Sequence, residues 1–243
     1  MMNSKMIAAV SLGLALTMLA PEAARSEGGK TYKVTITNLT AGQPLTPPIL
    51  VTHTGKTGIF EVGEAASEGI RQIAENGNGA PLLDVLAEDP NVHEVVAGMA
   101  PLVPANDPGN TGFGSSGTYT ITAHGNARFL SFASMLICTN DGFTGVDSFR
   151  LPNRKATIFA RAYDARTEAN TEDFADIVPP CQGLIGVSSE DMGTGMSNPV
   201  LAEAGIVIPH AGVNGGIDLV PEVHGWGDPV TKIEIEVVRP YAD

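Results

Sequence analysis

Positive charge is scarce in this sequence. Lysine and arginine together number 14 against 27 aspartates and glutamates, a formal net charge of −13. A protein that tracks nucleic-acid phosphates or lies on an anionic membrane surface needs a basic footprint, so both classes are disfavoured. Metal cations are the natural small partners of such a chain. Cysteine is scarcer still, with only Cys138 and Cys181. Two thiols exclude a disulfide-dense miniprotein and a four-cysteine zinc site, and no C-x-x-C spacing supports redox catalysis. Neither G-x-S-x-G, H-x-H nor H-E-x-x-H occurs, so a nucleophile-elbow hydrolase and a helical zinc protease both lack support. Beyond residue 20 no apolar run approaches the length that crosses a bilayer.

Turn formers, by contrast, are abundant, with 28 Gly and 17 Pro in 243 residues. Apolar residues make up 43% and charged residues 17%, enough to bury a core and too apolar for a disordered tail. That balance favours an all-β chain over a helical bundle. At the N-terminus, Lys5 precedes the uncharged apolar run Met6–Ala20, and Ala24 and Ser26 frame a small-residue cleavage site. This pattern predicts a signal peptide over 1–26 and an exported domain over 27–243, secreted or periplasmic, with no transmembrane segment after cleavage. A retained N-terminal anchor is the alternative. In an oxidising compartment the isolated Cys138 and Cys181 are expected to form a disulfide, with two buried free thiols as the alternative.

Thr31–Thr40 alternates Tyr32, Val34 and Ile36 against Lys33, Thr35 and Thr37, the period of a half-buried strand. Gln43–Thr54 carries Pro44, Pro47 and Pro48 ahead of Ile49-Leu50-Val51 and reads as an edge strand. Glu64–Glu75 has helical spacing up to Asn76-Gly77, and Pro81–Glu88 opens like a second short helix. Thr118–His124, Arg128–Cys138 and Lys155–Tyr163 read as strands, the last two apolar enough to be central, and Val230–Val238 closes the chain with clean alternation. The pattern predicts one antiparallel β-sandwich domain with long loops and one or two short helices.

Several motifs fail on context. Gly112-Phe-Gly-Ser-Ser-Gly117 follows a loop and precedes a strand, whereas a dinucleotide fingerprint needs a strand before it and a helix after it. Asn38-Leu-Thr40 matches a glycosylation sequon but lies inside a predicted strand. His210 and His224 lie in Gly-rich loops that could converge, and Trp226 is either a binding aromatic or core. Stronger is the acidic pair of segments Asn140–Asp147 and Tyr163–Glu168, each following a predicted strand. If those strands are neighbours, three or four carboxylates meet with Arg166 as the one base. Such a cluster either stays a solvated turn or takes a hard divalent cation, and oxygen-only ligation suits calcium over zinc.

The run Ser134-Met-Leu-Ile-Cys-Thr-Asn-Asp141-Gly-Phe-Thr-Gly-Val-Asp147 resembles the S-M-L-x-P-S-x-D-W-x-x-G-x-D signature of the spondin N-terminal (F-spondin) domain family. Tyr163-Asp-Ala-Arg-Thr-Glu168 is similar to that family's W-D-A-G-T-D, and Thr31–Thr54 and Asp228–Arg239 look like the domain's two ends. The resemblance implies a C2-like antiparallel sandwich with a calcium ion at one end, in an extracellular matrix or adhesion protein without catalytic activity. Carried over by position, the calcium ligands are Asp141, Asp164 and Glu168. Asp147 is expected, separately from the resemblance, to bind loop backbone amides rather than the ion. Glu168 replaces an Asp, Arg166 replaces a Gly, and Gly142-Phe143 stands where the pattern has Asp followed directly by Trp. The expectation is therefore a secreted calcium-binding adhesion or ligand-binding module whose partner is an extracellular protein or glycan. A metal-assisted hydrolase using the same carboxylates, with His210 or His224 as acid–base, and a purely structural exported domain are the alternatives.

Overall fold

A computed structural model describes residues 29–238. The expected signal peptide lies outside the described residues. The described chain forms ten strands and four short α-helices in the order β1 (Lys30–Asn38), β2 (Ile49–His53), α1 (Glu68–Asn76), α2 (Ala80–Glu88), β3 (Val92–Ala97), β4 (Ser116–Ala123), β5 (Phe129–Met135), β6 (Gly142–Arg150), β7 (Lys155–Ala160), β8 (Ala162–Asp164), α3 (Pro180–Ile185), β9 (Ile208–Pro209), α4 (Pro221–His224) and β10 (Thr231–Val237). All pairings are antiparallel. One sheet has the order β4-β1-β10-β7 and the other β3-β2-β5-β6-β8-β9.

The alternation seen in the first and last strands fixes their register. Val34 faces Ile235 and Ile36 faces Ile233 across β1 and β10, and all four side chains are fully buried. They meet Leu50, Leu130 and Phe132 of the second sheet to form the core between the layers. Truncating the fully buried Phe132 to alanine would cost about 3–5 kcal/mol, the usual price of an aromatic-sized cavity. The six-stranded sheet is covered on its other face too. Met135 and Phe143 pack there with Ile70 and Ile73 of α1, Leu82 and Leu86 of α2, and Leu184 of α3. Burial on both faces explains why β5 reads as a nearly continuous apolar run rather than an alternating one.

The helices follow their punctuation. Ser67 caps α1 by accepting from the Ile70 amide at 3.3 Å, and Gly77 ends it at φ 64°. Pro81 sits in the first turn of α2. The one-turn helices α3 and α4 and a 3-10 turn at Phe174–Asp176 go beyond the expected one or two helices.

Three strand expectations need correction. The 49–53 strand is not an edge, because β3 pairs on its open side and leaves all five residues of β2 buried. Lys155–Tyr163 is not one central strand. It breaks at Arg161 into β7, an edge of the first sheet with Phe159 exposed, and β8, which crosses to the second sheet. The segment Asn140–Asp147, expected as an acidic loop, is strand from Gly142 onward and belongs to β6.

Candidate metal centre

Strand pairing places two of the expected ligands together. Asp141 lies in the turn between β5 and β6, Asp164 ends β8, and Gly142 is register partner to Asp164. The two acidic segments thus converge through β6, a strand not foreseen in the sequence. Asp141 is wholly buried, and its Oδ2 accepts from the backbone amides of Thr167 at 2.8 Å and Glu168 at 3.0 Å. Its Oδ1 is buried and has no hydrogen-bond partner. Burial first, and the Asp164 charge second, push the Asp141 carboxyl up to about 7, against the pull of those two amides. Asp164 is also buried; its Oδ1 accepts from the Arg166 amide at 2.7 Å and its Oδ2 from the Asn170 side chain at 2.9 Å. Arg166 itself holds φ 56°, the left-handed region where the spondin pattern carries glycine.

Glu168 belongs to this loop through its backbone, and its charge reaches Asp141, but its carboxylate is engaged elsewhere. Oε1 accepts from the Asn198 amide at 2.7 Å. Burial pushes this carboxyl up to about 7, Glu75 and Asp176 add to the shift, and Arg71 opposes it. Glu75 and Asp176 were not singled out in the sequence, because Glu75 lies in an ordinary amphipathic helix and Asp176 in an unremarkable acidic loop. Asp147 does what was expected of it. Its Oδ1 accepts from the amides of Ile59 at 2.6 Å and Phe60 at 3.4 Å, pinning the 55–60 loop to β6.

His210 lies within electrostatic reach of Asp164. Desolvation lowers its basicity while the charges of Asp164 and Glu172 raise it. Its Nδ1 accepts from the Gly212 amide at 3.0 Å, and Nε2 is buried without a partner. Trp226 lies edge-on to that imidazole, 5.0 Å between centroids, and packs on the inter-sheet core. His224 is a buried structural residue whose Nδ1 accepts from the Val220 amide at 2.9 Å. The sequon asparagine, Asn38, is buried and donates to the carbonyls of Gln43 and Leu102, so it is not an accessible glycan acceptor in the fold.

Two further clusters look like chemistry. Among the described residues, Asp173, Asp191 and Asp218 bring one ligand atom each within 4.8 Å of one another. Two of these carboxylates already accept from the chain, Asp173 from the Ala175 amide and Asp218 from the Phe174 amide. His53, Ser131 and Asp147 form a second, triad-like group. His53 Nε2 lies 2.7 Å from Ser131 Oγ, but Asp147 binds the serine at 3.1 Å rather than the imidazole, whose Nδ1 is on the Thr54 carbonyl. The order needed to orient a catalytic histidine is absent, and His53 and Ser131 are fully buried.

The Cys138–Cys181 disulfide ties the turn leading to Asp141 to α3. The family model Spondin_N matches residues 41–167, just over half of the chain and including Asp141 and Asp164. The chain belongs to the spondin N-terminal domain family. No curated protein matches it. The spondin match ends one residue short of Glu168, the ligand candidate whose carboxylate is engaged elsewhere. It also leaves out β1 and β10, which the structure nevertheless builds into the four-stranded sheet. Spondin membership and the disulfide together mark an extracellular or exported type of module. Among the described residues no helix is long and apolar enough to cross a membrane.

Proposed function

We propose that this spondin domain is a secreted or periplasmic, non-catalytic binding module stabilised by calcium. One observation carries the reading, namely the buried, unpartnered Oδ1 of Asp141 beside the Asp164 carboxylate. An ionised carboxylate oxygen stripped of water and hydrogen bonds is costly, and a hard cation compensates it directly. The donors that Asp141 and Asp164 offer are oxygens, which suits calcium at six to eight ligands. Asp141 and Asp164 form the heart of the site, and Glu168 enters it by rotating its side chain away from Asn198. A bound ion supplies positive charge that holds the 139–142 turn and the 164–168 loop together. Adhesion to an extracellular protein or glycan is the role that fits such a module.

Thermal unfolding with calcium, magnesium or chelator tests this on the wild type and Asp164→Asn. Calcium at a hundredfold over its dissociation constant should add about 2.7 kcal/mol by mass action. Magnesium should add far less, since it demands a small octahedral shell. Asp164→Asn should lose the calcium response and Glu168→Gln should keep part of it. A wild type indifferent to calcium, or a full response in Asp164→Asn, contradicts the site. The hydrolase alternative draws on His210 beside Asp164, and would require turnover of an ester, phosphoester or glycoside that Asp164→Asn abolishes.

A further inference from the structure

The far end of the β5–β6 hairpin carries a second feature of opposite charge. Of the eleven lysines and arginines among the described residues, six pair with a carboxylate: Lys33, Arg71, Lys155, Arg161, Arg166 and Lys232. Three of the remaining five, Lys30, Arg128 and Arg150, line one cavity of about 390 Å³. Among the described residues no acidic one lines it; the other walls are Tyr32, Ala123, Gly125, Leu151 and Asn153. In a chain with a net charge of −13, three unpaired cations around one concavity are not explained by folding.

The cations are held ready rather than loose. Arg128 Nε donates to the Gly125 carbonyl at 2.8 Å, which orients the guanidinium and leaves its terminal N–H groups free. Lys30 Nζ donates to Asn153 Oδ1 at 2.7 Å and keeps two donors. Arg150, register partner of Phe129, makes no ion pair among the described residues. The Tyr32 hydroxyl donates to the Pro152 carbonyl, and the buried Tyr32 and Leu151 form the apolar floor.

Two guanidinium forks and an ammonium suit a tetrahedral oxyanion, whose oxygens accept bidentate arginine bonds, better than a carboxylate with two oxygens. The acidic end does not cancel this. Asp141 and Arg150 are separated by nine strand residues, about 30 Å at ~3.3 Å each, several times the ~8 Å screening length at physiological salt. The volume exceeds that of a bare ion and falls in the range of small-ligand pockets, with an apolar floor for an attached body.

We propose that the cavity lined by Lys30, Tyr32, Arg128, Arg150 and Asn153 binds a phosphate or sulfate ester. The purified protein can be titrated with glycerol 3-phosphate, inorganic sulfate and acetate while amide NMR shifts are followed. Vesicles with and without phosphatidic acid test whether a lipid headgroup is the source. Saturable shifts confined to residues 125–128 and 150–153 are expected with the first two probes and not with acetate. Arg128→Gln with Arg150→Gln should weaken binding at least about tenfold, as loss of charge-assisted hydrogen bonds requires, at unchanged melting temperature. The single exposed change Arg150→Gln gives the same direction should the double variant fold poorly. Phosphatidic acid binding lost in these variants would identify the headgroup as the source. No saturable shift through tens of millimolar, an equal response to acetate, or probe or vesicle binding retained in the variants would overturn the proposal.

Discussion

At the Asp141 end of the β5–β6 hairpin the charges are buried and crowded, whereas at the Arg128–Arg150 end they are exposed around a cavity. The physical consequences differ. A buried carboxylate with one oxygen unpartnered strains the fold until something neutralises it, so on the proposed reading the acidic end couples ligand binding to stability. An exposed arginine is already solvated, so the basic end can recognise an anion while contributing almost nothing to folding. On the proposed reading, one hairpin presents a site whose loss destabilises the module and a site whose loss leaves it intact.

The largest expected effect comes from the staple beneath the acidic end. Replacing Cys138 and Cys181 with serine opens a loop with a sequence separation of 43 residues. The loss should be about 4 kcal/mol by chain entropy, measured by urea unfolding, and calcium affinity should fall with it. An unfolding midpoint unchanged by the substitution would break the link between staple and site.

Second is the pH dependence with calcium chelated. Asp141 and Glu168 stay protonated in the fold up to about 7, while in the unfolded chain they ionise at ordinary carboxylate values. Between those values the unfolded state binds fewer protons, so stability must fall as pH rises toward 7. Saturating calcium should flatten that slope, because the cation favours the ionised carboxylates. A chelated protein that becomes more stable between pH 5 and 7 would contradict the strain assigned to this end. The smallest effect belongs to the other end, where Arg150→Gln should change unfolding free energy by less than about 0.5 kcal/mol.

Legibility in the sequence follows the same physics. β1 and β10 were readable because one face of each is buried and the other is wet, which leaves a period of two. β3 was not, since its residues are all half-buried or exposed with no alternation. The sheet switch at Arg161 is invisible locally, because Lys155–Asp164 reads the same whether it stays in one sheet or crosses to the other. Asp141 and Asp164 were legible as a pair because each follows or ends a strand in a motif of fixed spacing. The engagement of Glu168 with Asn198, Glu75 and Asp176 was not, since those partners lie 8 to 93 residues away in other loops and a helix. The basic cavity is illegible for the same reason, being assembled from single cations on β1, in the turn before β5 and on β6.

The most direct test of the calcium centre is an anomalous difference map from crystals grown with calcium. The account predicts a peak within about 2.3–2.6 Å of Asp141 Oδ1 and coordinated by Asp164. Density instead among Asp173, Asp191 and Asp218, or none near Asp141 in crystals saturated with calcium, would contradict it.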